Sequence, residues 1–184
     1  MEKTQYSITP VIAVRLVPVQ LEHAPAIQRL AEDPAVTATT NLPEPYPPDG
    51  ARLWIRSLLP KRWAGVEYAF AMVNADEELV GVVGFMDVRP QEGQAELGYW
   101  VGRPYWGRGY ATAGCRQILA YGFDVLGLRR IIARPLARNR ASCRVLEKIG
   151  FRWLGTERNV FPRFDPEDRL AVYEMTVTQW DGGA

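Results

Sequence analysis

The 184-residue chain is long enough for one domain with a real core, and 47% hydrophobic with 23% charged residues is ordinary globular usage. Its 22 basic and 21 acidic residues leave a formal charge of +1, so no global field recruits nucleic acid or an anionic membrane. One histidine and two cysteines without metal spacing, Cys115 and Cys143, argue against a zinc hydrolase, a Cys/His protease and a disulfide framework.

No apolar run reaches the length of a membrane span, and the opening MEKTQY lacks a signal peptide's apolar stretch, so a cytoplasmic location is expected. In chain order, residues 11–17 read as a strand. The i, i+3, i+4 spacing of Ala24, Ile27, Leu30 and Ala31 predicts a helix over 21–31. His23 falls within it as a surface or cap residue. Four prolines break residues 41–50, and Pro48-Asp49 begins a second helix through Trp54, Leu58 and Leu59. Residues 68–74 and 79–88 form a hairpin about Ala75-Asp76-Glu77-Glu78. A strand at 95–101 runs into a glycine turn and a helix over 110–126 closed by Gly127, followed by a short strand at 130–134. A helix near 141–149 ends at Gly150, and a closing hairpin pairs 151–160 with 169–177. No repeat or linker divides the chain, so residues 1–184 are expected to form a single domain, a mixed α/β sheet with a strand-loop-helix unit at its centre.

The most telling stretch is ELGYWVGRPYWGRGYAT, residues 96–112. An aromatic-rich strand feeds Trp106-Gly107-Arg108-Gly109-Tyr110, and Ala111 then opens a helix. Two glycines about an arginine expose backbone N–H groups at a helix N-terminus, where the dipole and the unpaired donors favour an anion such as a phosphate. The spacing is neither the P-loop, which needs Lys-Ser or Lys-Thr after the second glycine, nor G-x-G-x-x-G, because position 112 is Thr.

Paired with Asn139-Arg140-Ala141-Ser142 and Cys143-Arg144-Val145-Leu146-Glu147-Lys148-Ile149-Gly150-Phe151, this stretch resembles the GNAT superfamily of acetyl-coenzyme A dependent N-acetyltransferases. The nearest branch is similar to the ribosomal-protein N-terminal (alanine) acetyltransferases, through E-x-G-Y-W, W-G-x-G-Y-A-T and N-x-x-S-x-x-V-L-E-K-x-G-F. The resemblance spans about residues 11–179. It implies a GNAT-like central, largely antiparallel sheet flanked by helices, whose fourth and fifth strands splay to admit acetyl-coenzyme A as co-substrate, with no metal. Gly98 and Gly102 suit such close approach or bulging.

The same resemblance assigns the coenzyme to the strand backbone at Tyr99, Trp100 and Val101, to Trp106, Gly107, Arg108, Gly109, Tyr110, Ala111 and Thr112, and to Asn139, Ser142, Arg144 and Lys148. The first loop position, usually Gln or Arg, is Pro104, which has no N–H to offer, so a basic contact falls to Arg103 or Arg108. Glu96 is the general-base candidate. The tyrosine acid of many GNAT enzymes is replaced by Leu146, so Ser142, as in the ribosomal branch, is the candidate acid. Direct attack of an amine on the thioester through a ternary complex is expected, with no covalent intermediate.

The implied partner is an amine, a peptide N-terminus or a small molecule, with no nucleic acid and no membrane; a homodimer is left open. Residues 41–46, Trp54, Trp63, Phe85 and 160–168 are candidate acceptor walls, with Glu44, Asp87 and Glu96 to draw a cation. A non-catalytic acyl-coenzyme A sensor is the alternative from another class. A nucleic-acid binder using Arg129, Arg130, Arg134, Arg138 and Arg140 fits poorly with so neutral a chain.

Overall fold

The computed structural model describes residues 12–180. Strand β1, Val14–Pro18, begins three residues later than expected, and Val11 lies outside the described residues. A 3-10 turn, Leu21–His23, precedes α1, Ala24–Ala31, so the predicted first helix is two pieces. His23 caps this turn, its Nδ1 accepting the Gln20 N–H at 2.9 Å. A short helix that the sequence reading did not anticipate, α2 at Pro34–Thr37, starts where the Asp33 side chain accepts the Ala35 N–H. Helix α3 spans Gly50–Trp63, after Asp49 turns the chain in the left-handed region at φ 56°.

The predicted hairpin is β2, Tyr68–Asn74, and β3, Leu79–Arg89, followed by β4, Gln94–Val101. Helix α4 spans only Tyr110–Ala120; the chain then widens into a π turn, Tyr121–Val125, with the Leu126 N–H bonded five residues back to Tyr121. Gly127, at φ 64°, ends it as expected. Strand β5, Arg130–Ala133, leads to α5, Arg140–Lys148, which stops at Gly150, φ 99°. The closing hairpin is β6, Arg152–Arg158, and β7, Arg169–Thr176.

These strands make one seven-stranded sheet in the order β1-β2-β3-β4-β5-β7-β6. The last strand therefore enters between β5 and β6. Every pairing is antiparallel except β4 with β5. A core containing Ile118 and Leu146 fills one face beneath α4 and α5, and a second containing Ile27, Ile55 and Ala71 fills the other beneath α1 and α3. The two faces meet different helices, so successive residues of β4 look into different chemistry. Leu97, Tyr99 and Val101 join the first core, and Trp100 packs on the second.

The parallel ladder runs only from Gln94 opposite Arg130 to Glu96 opposite Ile132. Beyond it β4 continues for five residues while β5 stops at Ala133, leaving a gap between them. The backbone groups that face this gap follow from the β3 register. Val80 and Gly102 are hydrogen-bonded partners, the Gly102 N–H reaching the Val80 carbonyl at 2.8 Å, so pairs two residues apart repeat the bond. Trp100 and Gly98 therefore spend their backbone groups on β3, and Tyr99 and Val101 turn theirs to the gap.

Candidate active site

A cleft of about 890 Å³ occupies the gap and extends to both faces of β4. Its floor on the α4 side is the glycine turn. Gly107 and Gly109 adopt φ of 73° and 83°, a region other residues enter only with strain, and a Cβ on Gly109 would also sit 3.1 Å from the Ile12 side chain. Ala113 is the first amide to bond back to Gly109, which leaves the N–H groups of Tyr110, Ala111 and Thr112 without a helical acceptor at the cleft. Unpaired donors at the positive end of a helix, approached through side-chain-free turns, fit a pyrophosphate. The indole N–H of Trp106 fastens the turn to the strand end by donating to the Val101 carbonyl at 2.6 Å.

The basic residues are not distributed as expected. Arg103 is exposed and lies 4.0 Å from Asp33, and Arg108 lies over the Tyr105 ring at 5.9 Å; neither lines the cleft. Arg144 and Lys148 do, from the exposed side of α5. Pro104 explains the shift: it sits in the 3-10 turn Arg103–Tyr105, which carries Arg103 toward Asp33. Trp100 needs a second correction. Its indole lines the cleft, but its backbone bonds β3, so only Tyr99 and Val101 of the three strand residues can offer main-chain groups to a ligand.

Asn139 does cap α5, its Oδ1 accepting the Ser142 N–H at 3.1 Å, while its side chain still lines the cleft. Ser142 is held from across the gap. The Tyr99 phenol donates to the Ser142 carbonyl at 3.1 Å and lies 2.7 Å from Ser142 Oγ, where either hydroxyl can donate. Burial pushes the Tyr99 phenol well above the ordinary tyrosine value, so it stays a neutral donor. This hydroxyl pair joins residues 43 apart in sequence, which no local pattern announces. Leu146, at the position of the tyrosine acid in many GNAT enzymes, is fully buried.

Glu96 points to the opposite face of β4 from Tyr99. It is ion-paired to Nη1 of Arg134, a residue missed as a site candidate because only tertiary structure brings β4 and the end of β5 together. Arg134 Nε also lies 3.0 Å from Glu157, within ion-pair reach but not aligned for a hydrogen bond. Burial raises the Glu96 carboxyl above the ordinary glutamate value; Arg134 opposes this, while Asp87 and Glu157 reinforce it. Such a group holds a proton more readily than a surface carboxylate does.

Trp54, Phe85, Asn41, Phe161 and Phe164 line the cleft, as expected of wall elements, whereas Trp63 is 84% exposed and remote from it. Glu44 is turned away onto Arg163 at 2.8 Å and Asp87 onto Arg89 at 2.7 Å. Cys115 and Cys143 are both buried, and burial pushes the Cys115 thiol far up. Among the described residues no cluster of His, Cys, Asp and Glu could hold a metal, and no helix is long and apolar enough to cross a membrane.

A mixed sheet that opens between its one parallel strand pair, above a helix begun by a glycine turn, is the architecture of an acetyl-coenzyme A dependent acyltransferase. Residues 13–152 match the family model for the acetyltransferase (GNAT) domain, and the chain belongs to that family. It is an N-acetyltransferase of the GNAT type. It is 30% identical to the uncharacterised N-acetyltransferase p20 of Bacillus licheniformis over 141 residues, covering 76% of this chain and 79% of that protein. It is 27% identical to the FsC-acetyl coenzyme A-N(2)-transacetylase of Aspergillus fumigatus, covering 91% of this chain and 75% of that one. Its fold superposes with a TM-score of 0.81 on RimL, a ribosomal alpha-N-protein acetyltransferase in complex with coenzyme A, at 18% identity and with 91% and 96% of the two chains covered.

Proposed function

We propose that the chain passes acetyl directly from acetyl-coenzyme A to a primary amine while both occupy the cleft. One observation carries the reading: β4 presents a proton acceptor, Glu96, on one face and the Tyr99–Ser142 hydroxyl pair on the other, with the free Tyr99 N–H between them. The first three amides of α4, with Arg144 and Lys148, hold the phosphates. The Tyr99 carbonyl, the Val101 N–H and the side-chain NH2 of Asn139 hold the pantetheine arm.

The amine enters from the Glu96 face and loses a proton to that carboxylate, directly or through water. Its nitrogen then bonds to the thioester carbon, and the oxygen takes the negative charge, which the Tyr99 N–H stabilises. The carbon–sulfur bond breaks as the tetrahedral centre collapses. On the opposite face the thiolate accepts the Ser142 hydroxyl proton, while the neutral Tyr99 phenol, hydrogen-bonded to Ser142, holds that side chain in place. The nitrogen gives its second proton to water as the amide forms and Ser142 regains one from water, so that proton is in effect passed to the thiol, and no covalent enzyme intermediate is needed. Neither cysteine is placed to carry acetyl, since both are buried.

Initial rates measured against both substrates should give intersecting lines, the signature of a ternary complex. Parallel lines, or acetyl trapped on Cys143 before an amine is added, would overturn direct transfer.

A further inference from the structure

We infer that the acceptor is a singly charged primary amine carrying an apolar or aromatic group, not a polyamine. The inference deepens the transfer reading above and rests on its placing the amine at Glu96. It is drawn from the charge and shape of the Glu96 face.

Among the described residues two carboxylates line the main cleft, Glu67 and Glu96, against three bases, Arg134, Arg144 and Lys148. Both carboxylates are already paired, Glu67 with Lys61 at 2.6 Å and Glu96 with Arg134. A polyamine brings two or more ammonium groups out of water and needs a free carboxylate for each. Glu96 serves the one reacting amine, and no unpaired carboxylate of the lining is left for a second ammonium.

The shape favours an apolar body beside that amine. Glu96, Gly98 and Trp100 share a face of β4, and over Gly98, which has no side chain of its own, the Met86 methyl makes the surface between the other two apolar. About 7 Å along the strand from Gly98, Trp100 and Trp54 separate the cleft from a side pocket of about 230 Å³. Ile27, Leu42, Pro43, Tyr46 and Pro47 line it, and no charged side chain does. The wall above is built in advance. Arg163, in the β6–β7 turn, donates to the Thr37 and Thr40 carbonyls and to Glu44, and packs 4.6 Å over the Phe164 ring. Arg138 stacks at 5.7 Å over the same ring and donates to the Ala38 carbonyl. Two arginines thus fix residues 37–44 against Phe164, and the apolar group meets a preformed surface.

Release of coenzyme thiol should be measured with 2-phenylethylamine, ethylamine, spermidine and a short peptide beginning with Phe. The expected order in kcat/KM places 2-phenylethylamine or the Phe peptide roughly tenfold or more above ethylamine and spermidine. Whichever of the two is better tells a free amine from a protein N-terminus. Trp54→Ala should lower kcat/KM for the aromatic substrates about tenfold. A preference for spermidine, or equal use of ethylamine and 2-phenylethylamine by the wild-type chain, would overturn the inference without any variant. Release of no thiol with any amine would instead overturn the transfer reading. Saturable quenching of tryptophan fluorescence by 2-phenylethylamine in the presence of coenzyme A, which needs no turnover, would then still decide this inference.

Discussion

Glu96 and Glu174 stand in one row across the sheet, on either side of Ile132, and make the same kind of contact to opposite effect. Two strand spacings, about 10 Å, separate them. On the closed side, Glu174 accepts from Arg130 at 2.6 Å and from Arg152 at 2.5 Å, and these hydrogen bonds hold its carboxyl below the ordinary glutamate value. On the open side, Glu96 has one arginine, and burial together with Asp87 and Glu157 outweighs it. One carboxylate stays charged and ties β5, β7 and the edge strand β6 together. Its counterpart is poised to take a proton. Pairing with arginine therefore does not by itself define a structural carboxylate; the number of donors set against the cost of burial does.

The largest effect should come from filling the open side. Gly109→Glu places a Cβ where φ is 83° and a negative charge among the amides that face the phosphates. Acetyl-coenzyme A affinity should fall by a hundredfold or more by calorimetry. The wild-type chain should gain about 2.7 kcal/mol of stability at a ligand concentration one hundred times Kd, and the variant should gain almost none. Retained affinity in Gly109→Glu would remove the glycine turn from the coenzyme site.

Next in size are the hydroxyls. Ser142→Ala should lower kcat roughly ten- to a hundredfold with coenzyme affinity nearly unchanged, as loss of a general acid does. Tyr99→Phe should do the same by a smaller factor, because Ser142 keeps its own proton but loses the hydrogen bond that positions it. Full kcat in both variants would leave the proton to solvent.

The smallest effects separate the two carboxylates. Glu174→Gln leaves Arg130 and Arg152 without their charged acceptor and should cost about 1–2 kcal/mol at pH 7, or several degrees in Tm. The modest figure reflects arginine side chains that are 40% and 61% exposed. Because the Glu174 carboxyl is lowered in the folded chain, this contribution is present above the ordinary glutamate value and is lost as pH falls through the lowered one. Glu96 has the opposite sign: its raised carboxyl favours the folded state at low pH and loses that advantage as pH rises through the raised value. Glu96→Gln should therefore leave Tm at pH 7 unchanged or higher while flattening the acidic limb of kcat/KM. Arg134→Gln removes an opposing influence, so the acidic limb should move to higher pH. Movement to lower pH would show that the pair acts as a salt bridge alone.

Much of this was legible where the chemistry is local. The left-handed glycines at 107 and 109, the Asn139 cap and the stop at Gly150 follow from residue types within one turn of their partners. The GNAT motifs supplied the gap between β4 and β5. Hidden were the features made by residues far apart: Tyr99 against Ser142, Glu96 against Arg134, and the Arg163 contacts that fix the acceptor wall. The helix expected over 110–126 runs on past Ala120, but over Tyr121–Val125 as a wider π turn. Apolar spacing continues past Ala120, but Gly122 lies against Phe85, where a Cβ would come within 2.7 Å of the ring, and the backbone widens there. The reach of Arg103 and Arg108 was also misjudged, since exposed arginines answer to whichever partner the fold brings near.

Strand β7 enters the sheet between β5 and β6, although it follows both in the chain. While a ribosome is still releasing residues 169–176, β5 has no partner on that side, β6 has none at all, and Glu174 has not reached its arginines. The nascent chain thus carries open edges on β5 and β6 until β7 emerges, the state most prone to pairing with a neighbour. Translation that stalls just short of β7 would leave a chain with the coenzyme turn intact and the sheet unable to close.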